Sequence, residues 1–158
     1  FQHSGVVPDV VTMAKAMGNG FPVGAVWARR EVAGAFRPGD HGSTYSGTAL
    51  ATAVVSAVID EMRRIDAPEL ARARGAELTA ALRAVPGVAS VRGEGLLLAA
   101  ELAEGIDAKV VYTRLLERGV VTNAVTATAL RIAPPLTVTS EQISEAVAAL
   151  AAVLEELS

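Results

Sequence analysis

The spacing of apolar residues in the first part of the chain predicts two short strands. Residues 10–13 form a partly β-branched apolar run that predicts a buried strand, and residues 23–28 predict a second one. Residues 17–22 are rich in glycine and proline, so we expect a loop between the strands. Residues 30–36 predict a short helix, and residues 40–47 predict a polar loop.

A longer helix is predicted over residues 48–65, with Thr48 available as its N-cap. Its first half is apolar on nearly every face, which predicts burial between layers of structure. Asp66-Ala67-Pro68 ends the helical pattern, and we place a domain boundary there. The predicted domains are therefore residues 1–66 and residues 67–158.

The second domain is predicted to mix helices and short strands. In order, we expect a helix over 68–84, strands at 88–92 and 96–102 joined as a hairpin across Gly93-Glu94-Gly95, a helix over 107–118 stopped by Gly119, strands at 120–122 and 129–133, and a last helix from Ser140. The fold class is accordingly α/β.

Composition narrows the functional classes. The chain is 51% hydrophobic with 4% aromatic residues, so a core of Ala, Val and Leu is expected. The net charge is only -3 and the basic residues form no long run, which disfavours a nucleic-acid interface. Without cysteine there is no disulfide or thiolate metal site, and the two histidines lack a ligand companion at short spacing.

Neither a membrane span nor a secretory signal is predicted. The most apolar stretch, residues 49–59, is shorter than the roughly 20 residues a spanning helix needs. A membrane location is therefore disfavoured, and the absence of cysteine is consistent with the reducing cytoplasm, which is the expected location. The chain also opens in loop-like sequence at Phe1 without an initiator Met, which predicts a piece of a longer protein.

Lys15 is the first candidate for chemistry. The chain has two lysines and twelve arginines, so Lys15 does not belong to a general cationic surface. Its position after an apolar strand and before glycines suits covalent capture of a carbonyl, which needs a neutral amine favoured by burial. The alternative is a surface lysine whose stem lies on apolar neighbours. A nucleotide-binding P-loop is excluded, because its lysine follows the glycines.

Two further sites have the chemistry of anion binding. Ser43 and Thr44 follow Gly42 shortly before a predicted helix start, an arrangement that suits a phosphate group or simple turn capping. Arg131 lies in an apolar strand ended by two prolines, where it could clamp a carboxylate, point to solvent or pair with Glu94 or Glu101.

A hydrolase interpretation receives little support. Ser43, His41 and Asp40 can be drawn as a catalytic triad, but adjacent loop residues rarely provide its geometry. The Gly-x-Ser-x-Gly nucleophile motif is absent from the sequence.

Six runs, taken in order, resemble the C-terminal part of a class-III pyridoxal-phosphate-dependent aminotransferase, and within that class the acetylornithine and ornithine aminotransferases. They extend over almost the whole chain. The runs are Phe1-Gln2-His3 with Pro8-Asp9-Val10-Val11-Thr12, Ala14-Lys15, Gly20-Phe21-Pro22-Val23-Gly24-Ala25, His41-Gly42-Ser43-Thr44-Tyr45, Arg92-Gly93-Glu94-Gly95-Leu96-Leu97 and Leu130-Arg131-Ile132-Ala133-Pro134-Pro135-Leu136.

The resemblance implies a fold and a set of residue roles. The fold is the aspartate-aminotransferase-like fold type I, with residues 1–66 as the end of the large cofactor domain and 67–158 as the small C-terminal α/β domain. Lys15 would hold pyridoxal 5'-phosphate covalently and move a proton between substrate and cofactor. Thr44 would bind the cofactor phosphate of the neighbouring subunit in a homodimer. Ser43 would lie near the substrate, and Arg131 would hold a substrate carboxylate.

The reaction implied is transfer of an amino group from acetylornithine, or a similar ω-amino donor, to 2-oxoglutarate in arginine biosynthesis. Ornithine and 4-aminobutyrate aminotransferases are alternatives. Outside this class, a non-catalytic α/β interaction module and a phosphate binder without covalent capture stay open.

The sequence also departs from the family pattern. Ser46-Gly47-Thr48-Ala49 stands where relatives usually have Gly-Gly-Asn-Pro, which leaves the amino donor open. The family's aspartate for the pyridine nitrogen lies upstream of the residue matching Phe1, as do its stacking ring and first phosphate loop. We therefore expect the 158 residues alone to have little or no activity, and to associate through uncovered apolar surface.

Overall fold

The computed structural model describes residues 1–45 and 47–157, which form two compact units, Phe1–Ile65 and Asp66–Ser158. The predicted polar loop over 40–47 includes Ser46, which lies outside the described residues. Each unit is described by itself below.

The first unit contains a two-stranded antiparallel sheet and two helices. Strands β1 (Val10–Met13) and β2 (Ala25–Ala28) pair so that Val11 lies opposite Trp27. Helices α1 (Arg30–Ala33) and α2 (Ala49–Arg64) follow. Both predicted strands are confirmed, although β2 starts two residues later than expected. The predicted helix at 30–36 is a single turn, and Thr48 caps α2 by accepting a hydrogen bond from the Ala51 backbone N–H.

The predicted burial of the first unit is wrong. β1 was expected to be buried, yet Val10 is 46% and Met13 41% exposed. The first half of α2 was expected to lie between layers, yet Ala51 is the one buried residue in this helix. An apolar pattern indicates that an element tends to be buried, but the described residues of this unit bury neither β1 nor the first half of α2.

The second unit is a four-stranded antiparallel sheet with three helices. The sheet consists of β3 (Val88–Glu94), β4 (Leu97–Leu102), β5 (Asn123–Ala124) and β6 (Ala129–Ile132), in the order β3-β4-β6-β5. The helices are α3 (Ala67–Arg83), α4 (Ala108–Glu117) and α5 (Ser140–Glu156). The three long helices, the hairpin and the strand at 129–133 are confirmed.

Two local predictions in this unit need correction. The strand expected at 120–122 is absent, and β5 follows it at Asn123–Ala124. The reason is that Val120 donates its backbone N–H to the Leu115 carbonyl at the end of α4, 2.9 Å away, which holds it at the helix end. The hairpin turn also lies at residues 95–96, because Gly93 and Glu94 still pair with Leu98 and Leu97.

The core of the second unit joins the helices to one face of the sheet. β6 alternates, with Leu130 fully buried and its neighbour Arg131 exposed. Side chains with almost no exposure come from every layer: Leu82 of α3, Val111 and Leu115 of α4, Leu130 of β6, and Val153 and Leu154 of α5. The opposite, open face of the sheet carries exposed side chains that include Arg92, Leu97 and Arg131.

The start of α5 is fixed by side-chain hydrogen bonds. Thr139 and Gln142 form a capping box, in which each side chain accepts a hydrogen bond from the other's backbone N–H. Arg74 of α3 donates to the Ser140 hydroxyl at 2.5 Å and to Glu77 at 2.8 Å. The hydrogen bond from Arg74 is the main reason why the pKa of Glu77 is lowered. These contacts hold α3 against the first turn of α5.

Helix α3 approaches the hairpin turn closely at Gly75, and we expect Gly75→Ala to destabilise the second unit. A Cβ at this position would lie 2.2 Å from the Gly95 carbonyl oxygen, and a backbone atom cannot swing aside as a flexible side chain can. Overpacking of this kind costs about 1–3 kcal/mol. Urea unfolding followed by circular dichroism measures the loss, with Ala76→Ser at the adjacent exposed position as control. Equal stability of the two variants would show that α3 can move away freely.

Candidate functional site

Lys15 stands where β1 ends and a glycine-rich turn begins. It is the first residue of a 3-10 turn, Lys15–Met17, and its backbone is left-handed with φ 55°. Helix α2 packs against this turn. The side chain is exposed, so the described residues do not bury the amine. What they supply is a primary amine at a fixed place between a strand and a helix.

The loop after Lys15 and the segment before α2 share a cavity of about 530 Å³ in the first unit. Its walls are formed by residues 21–24 on one side and by Tyr45, Gly47 and Thr48 on the other. Two runs distant in sequence are therefore neighbours in the fold, in keeping with their shared part in the family resemblance.

Ser43 and Thr44 are exposed at the approach to α2. Thr48, rather than either of them, caps the helix. The role of capping α2, which the sequence left open for Ser43 and Thr44, is therefore taken by Thr48. The Thr44 side chain is exposed at the surface.

Arg131 projects from the open face of the second unit's sheet. It pairs across strands with Ala99 on one side and Asn123 on the other, and directly paired residues share a face. Arg92 on β3 forms an ion pair with Glu101 on the intervening strand β4 at 2.8 Å. The predicted alternative of Arg131 pairing with Glu101 is therefore not observed.

The open face leaves the Arg131 guanidinium available. Within residues 1–45 and 47–157, the structure shows no ion pair or hydrogen bond from its side chain. A guanidinium without a partner can bind a carboxylate through two parallel hydrogen bonds. Lys15, Ser43 and Thr44 lie in the first unit and Arg131 in the second.

The hydrolase alternative finds no support in the loop at 37–43. The Asp40 carboxylate accepts a hydrogen bond from the Arg37 backbone N–H at 2.7 Å. The His41 ring instead packs against Phe36, with the ring centres 5.3 Å apart. Neither contact is the Asp–His–Ser chain that a triad requires.

Two features of the structure were not predicted from the sequence. A mainly apolar cavity of about 480 Å³ lies in the second unit between α3, α5 and β6. Thr122 lines it, and the Thr122 hydroxyl is buried with no hydrogen-bond partner among the described residues. The other feature is the left-handed backbone of Lys15. Neither a cavity nor a positive φ at lysine leaves a signal in residue pattern.

Neither a metal-binding cluster nor a membrane-spanning helix is found among the described residues. The described part of the chain contains no group of three or more His, Cys, Asp or Glu side chains placed to hold a metal ion. Among the same residues, no helix is both long enough and apolar enough to cross a membrane.

The side chains present fit a cofactor that carries an aldehyde and a phosphate. Lys15 offers the amine that condenses with an aldehyde, and Ser43 and Thr44 offer exposed hydroxyls that can donate to a phosphate. The three residues lie in the first unit, outside the walls of the cavity described above. The donor set therefore matches pyridoxal phosphate.

Comparison with known proteins shows which family the chain resembles over its length. The family model for aminotransferase class-III matches residues 1–154. Acetylornithine aminotransferase of Corynebacterium efficiens is 43% identical over 99% of this chain and 39% of its own length. Ornithine aminotransferase of Bordetella pertussis is also 43% identical, over 96% of this chain and 38% of its own length.

Solved structures agree with this placement. An ornithine aminotransferase from Toxoplasma gondii, described with partial occupancy of PLP at its active site, superposes with a TM-score of 0.86 at 32% identity, over 98% of this chain and 39% of its own. An S-selective transaminase from Arthrobacter with alanine bound superposes with a TM-score of 0.88 at 26% identity, over 99% of this chain and 40% of its own. The chain thus spans about two fifths of the length of these relatives, and it belongs to the class-III aminotransferase family.

Proposed function

We propose that this chain works as part of a pyridoxal-phosphate-dependent aminotransferase that takes an amino group from acetylornithine, or a similar ω-amino donor, and gives it to 2-oxoglutarate. The observation that carries the proposal is the family match over residues 1–154. The setting would be arginine biosynthesis in the cytoplasm. Ornithine is the second candidate donor, because relatives named ornithine aminotransferase are 43% identical as well.

When bound, pyridoxal phosphate would supply an aldehyde carbon that takes up the amino nitrogen, with its oxygen leaving as water, and a ring that accepts electrons. Lys15 would bind it covalently and later hold and move a proton at its own Nζ. Thr44 would donate its hydroxyl to the phosphate held by a second subunit, with Ser43 beside the substrate. Arg131 would orient a substrate carboxylate with its guanidinium fork.

The domain roles and the homodimer belong to the same proposal. Residues 1–66 would be the end of the cofactor domain, and residues 67–158 the small C-terminal domain. Large apolar side chains on the first unit, such as Val26 at 65% and Leu50 at 63% exposure, offer surface for the association expected from the sequence.

The test is to titrate the longest natural polypeptide that contains this chain with pyridoxal phosphate, reduce it with borohydride and map the labelled peptide. We expect the label at Lys15 in preference to Lys109, the other lysine of these 158 residues. Equal labelling of both, or none, would reject the proposal. For the donor, nitrogen-15 transfer to glutamate from acetylornithine, ornithine and 4-aminobutyrate is compared in the longest natural polypeptide that contains this chain.

Replacing Arg131 by lysine is expected to raise the KM for the carboxylate substrate by about 10-fold to 100-fold, with a smaller change in kcat. Lysine keeps the charge but loses the two parallel hydrogen bonds. Steady-state kinetics with 2-oxoglutarate measures the effect in the same polypeptide. Arg92→Lys, on the same sheet face and paired with Glu101, is the control and should leave KM unchanged. An unchanged KM in Arg131→Lys would remove Arg131 from the proposed site.

A further inference from the structure

The backbone of Lys15 is an outlier in this chain. Among the described residues, the non-glycine residues with positive φ are Lys15, Asn19 and Asp66. Asparagine and aspartate visit this left-handed region readily, because their short polar side chains can bond locally, whereas lysine pays a steric penalty there. Strain of this kind persists where the surroundings enforce it, and it concentrates at functional positions.

The left-handed conformation decides where the lysine points. Met13 ends β1, and Ala14 is extended with φ -160°. An extended residue 15 would continue the strand's alternation and place the lysine on the same face as Met13. The left-handed turn instead ends the strand and leads into a 3-10 turn, in which the Gly18 N–H donates to the Lys15 carbonyl at 3.1 Å.

Gly18 is the residue that keeps this turn closed. It is the buried residue of the loop, and its carbonyl accepts a hydrogen bond from the Phe21 N–H at 2.9 Å. A Cβ at residue 18 would lie 2.2 Å from the Phe21 carbonyl oxygen and 2.6 Å from Cγ1 of Val23. Its own φ is -101°, so glycine is needed here for space and not for conformation.

We propose that Gly18 is a positioning residue for Lys15. By letting residues 21–23 lie against the 3-10 turn, it holds the lysine backbone in its left-handed conformation and aims the amine away from the strand face. The inference rests on the proposed function of Lys15 as the residue that captures the cofactor. It adds a specific steric cause for the placement of that amine.

The test compares Gly18→Ala with Gly34→Ala in the same polypeptide. A Cβ at Gly34 would meet the Arg30 carbonyl oxygen at 3.3 Å, which needs only a small adjustment compared with the 2.2 Å clash at Gly18, and Gly34 lies outside the cavity. The readouts are the borohydride-trapped label at Lys15 relative to Lys109 and the absorption maximum of bound pyridoxal phosphate. Because misplacement by about 1 Å can slow a positioned reaction by as much as about 100-fold, we expect the Lys15 to Lys109 ratio to fall at least tenfold in Gly18→Ala.

A second pair of variants tests the strain without any cofactor. Glycine adopts a positive φ freely and alanine does not, so Lys15→Gly should melt about 2 °C or more above Lys15→Ala. Trp27, the single tryptophan, lies on β2 and reports this melting by fluorescence. An alanine variant as stable as the glycine variant would overturn the claim of strain.

The outcomes separate the two proposals. If the unaltered chain shows no preference for Lys15 over Lys109, the proposed function fails, and the melting pair still decides whether residue 15 is strained. If Lys15 is preferred and Gly18→Ala labels as well as Gly34→Ala, the proposed function stands and the positioning role of Gly18 is wrong.

Discussion

Replacing Lys15 by arginine is expected to abolish covalent capture of pyridoxal phosphate at residue 15. A guanidinium stays protonated at all ordinary pH values, so it offers no free electron pair to an aldehyde. The substitution keeps the charge and much of the length of the side chain. Where amino transfer is measurable, in the longest natural polypeptide containing this chain, we expect the rate to fall by a factor of about 10² to 10⁴, the usual loss with a positioned proton-transfer group. Borohydride reduction with peptide mapping measures capture.

Lys109→Arg is the matched control, since it makes the same change at the other lysine. Lys109 is exposed on α4 in the second unit, and its loss should leave capture and rate unchanged. Both variants keep the net charge of -3, so a difference between them cannot arise from overall charge. Undiminished amino transfer by Lys15→Arg would show that another residue carries the chemistry, and the role assigned to Lys15 would have to be abandoned.

The second unit could be predicted closely because its elements cover one another. The periodic apolar face of α5 finds its partner in α3 and α4, and the signals at its start, Thr139 and Gln142, act within a few residues. Local rules suffice where the contacts they anticipate are made within the same unit. The strand expected at 120–122 failed for a related reason, since the end of α4 took the hydrogen bond of Val120 that a strand would have used.

The first unit shows the limit of such reasoning. Apolar periodicity correctly gave the helix from Thr48 and the strand before Lys15, but not their exposure. Burial depends on what covers an element, and no pattern within the element contains that information. The candidate residues themselves came from chemistry and from the resemblance. The inferences about Lys15 and Gly18 depend on backbone angles and close contacts, which are features of the folded structure and not of the residue pattern.

Adjacent leucines in α4 provide a sharp example of what the sequence leaves open. Leu115 and Leu116 both fall in the predicted helix, but consecutive helical residues point about 100° apart, so they cannot both face the same core. The structure assigns Leu115 to the core at 1% exposure and leaves Leu116 47% exposed.

Leu115→Ala is accordingly expected to destabilise the second unit by about 2–5 kcal/mol, because it removes buried methyl groups and leaves a void beside α5. For a unit of this size, the melting temperature should fall by about 10 °C or more. Circular dichroism reports the unfolding, since the two longest helices, α3 and α5, lie in this unit. Trp27 fluorescence, which reports the first unit, shows whether the loss stays in the second.

Leu116→Ala is the control that isolates burial, because the substitution, the helix and the local propensity are the same. Its effect should stay within about 0.5 kcal/mol, as at other surface positions. A loss of similar size in both variants would mean that α4 packs with a different face than the one described. A large loss confined to Leu115→Ala would show that packing of this face of α4 stabilises the second unit. The end of α4 also accepts the Val120 hydrogen bond, and β5, which follows Val120, pairs with β6 at Arg131.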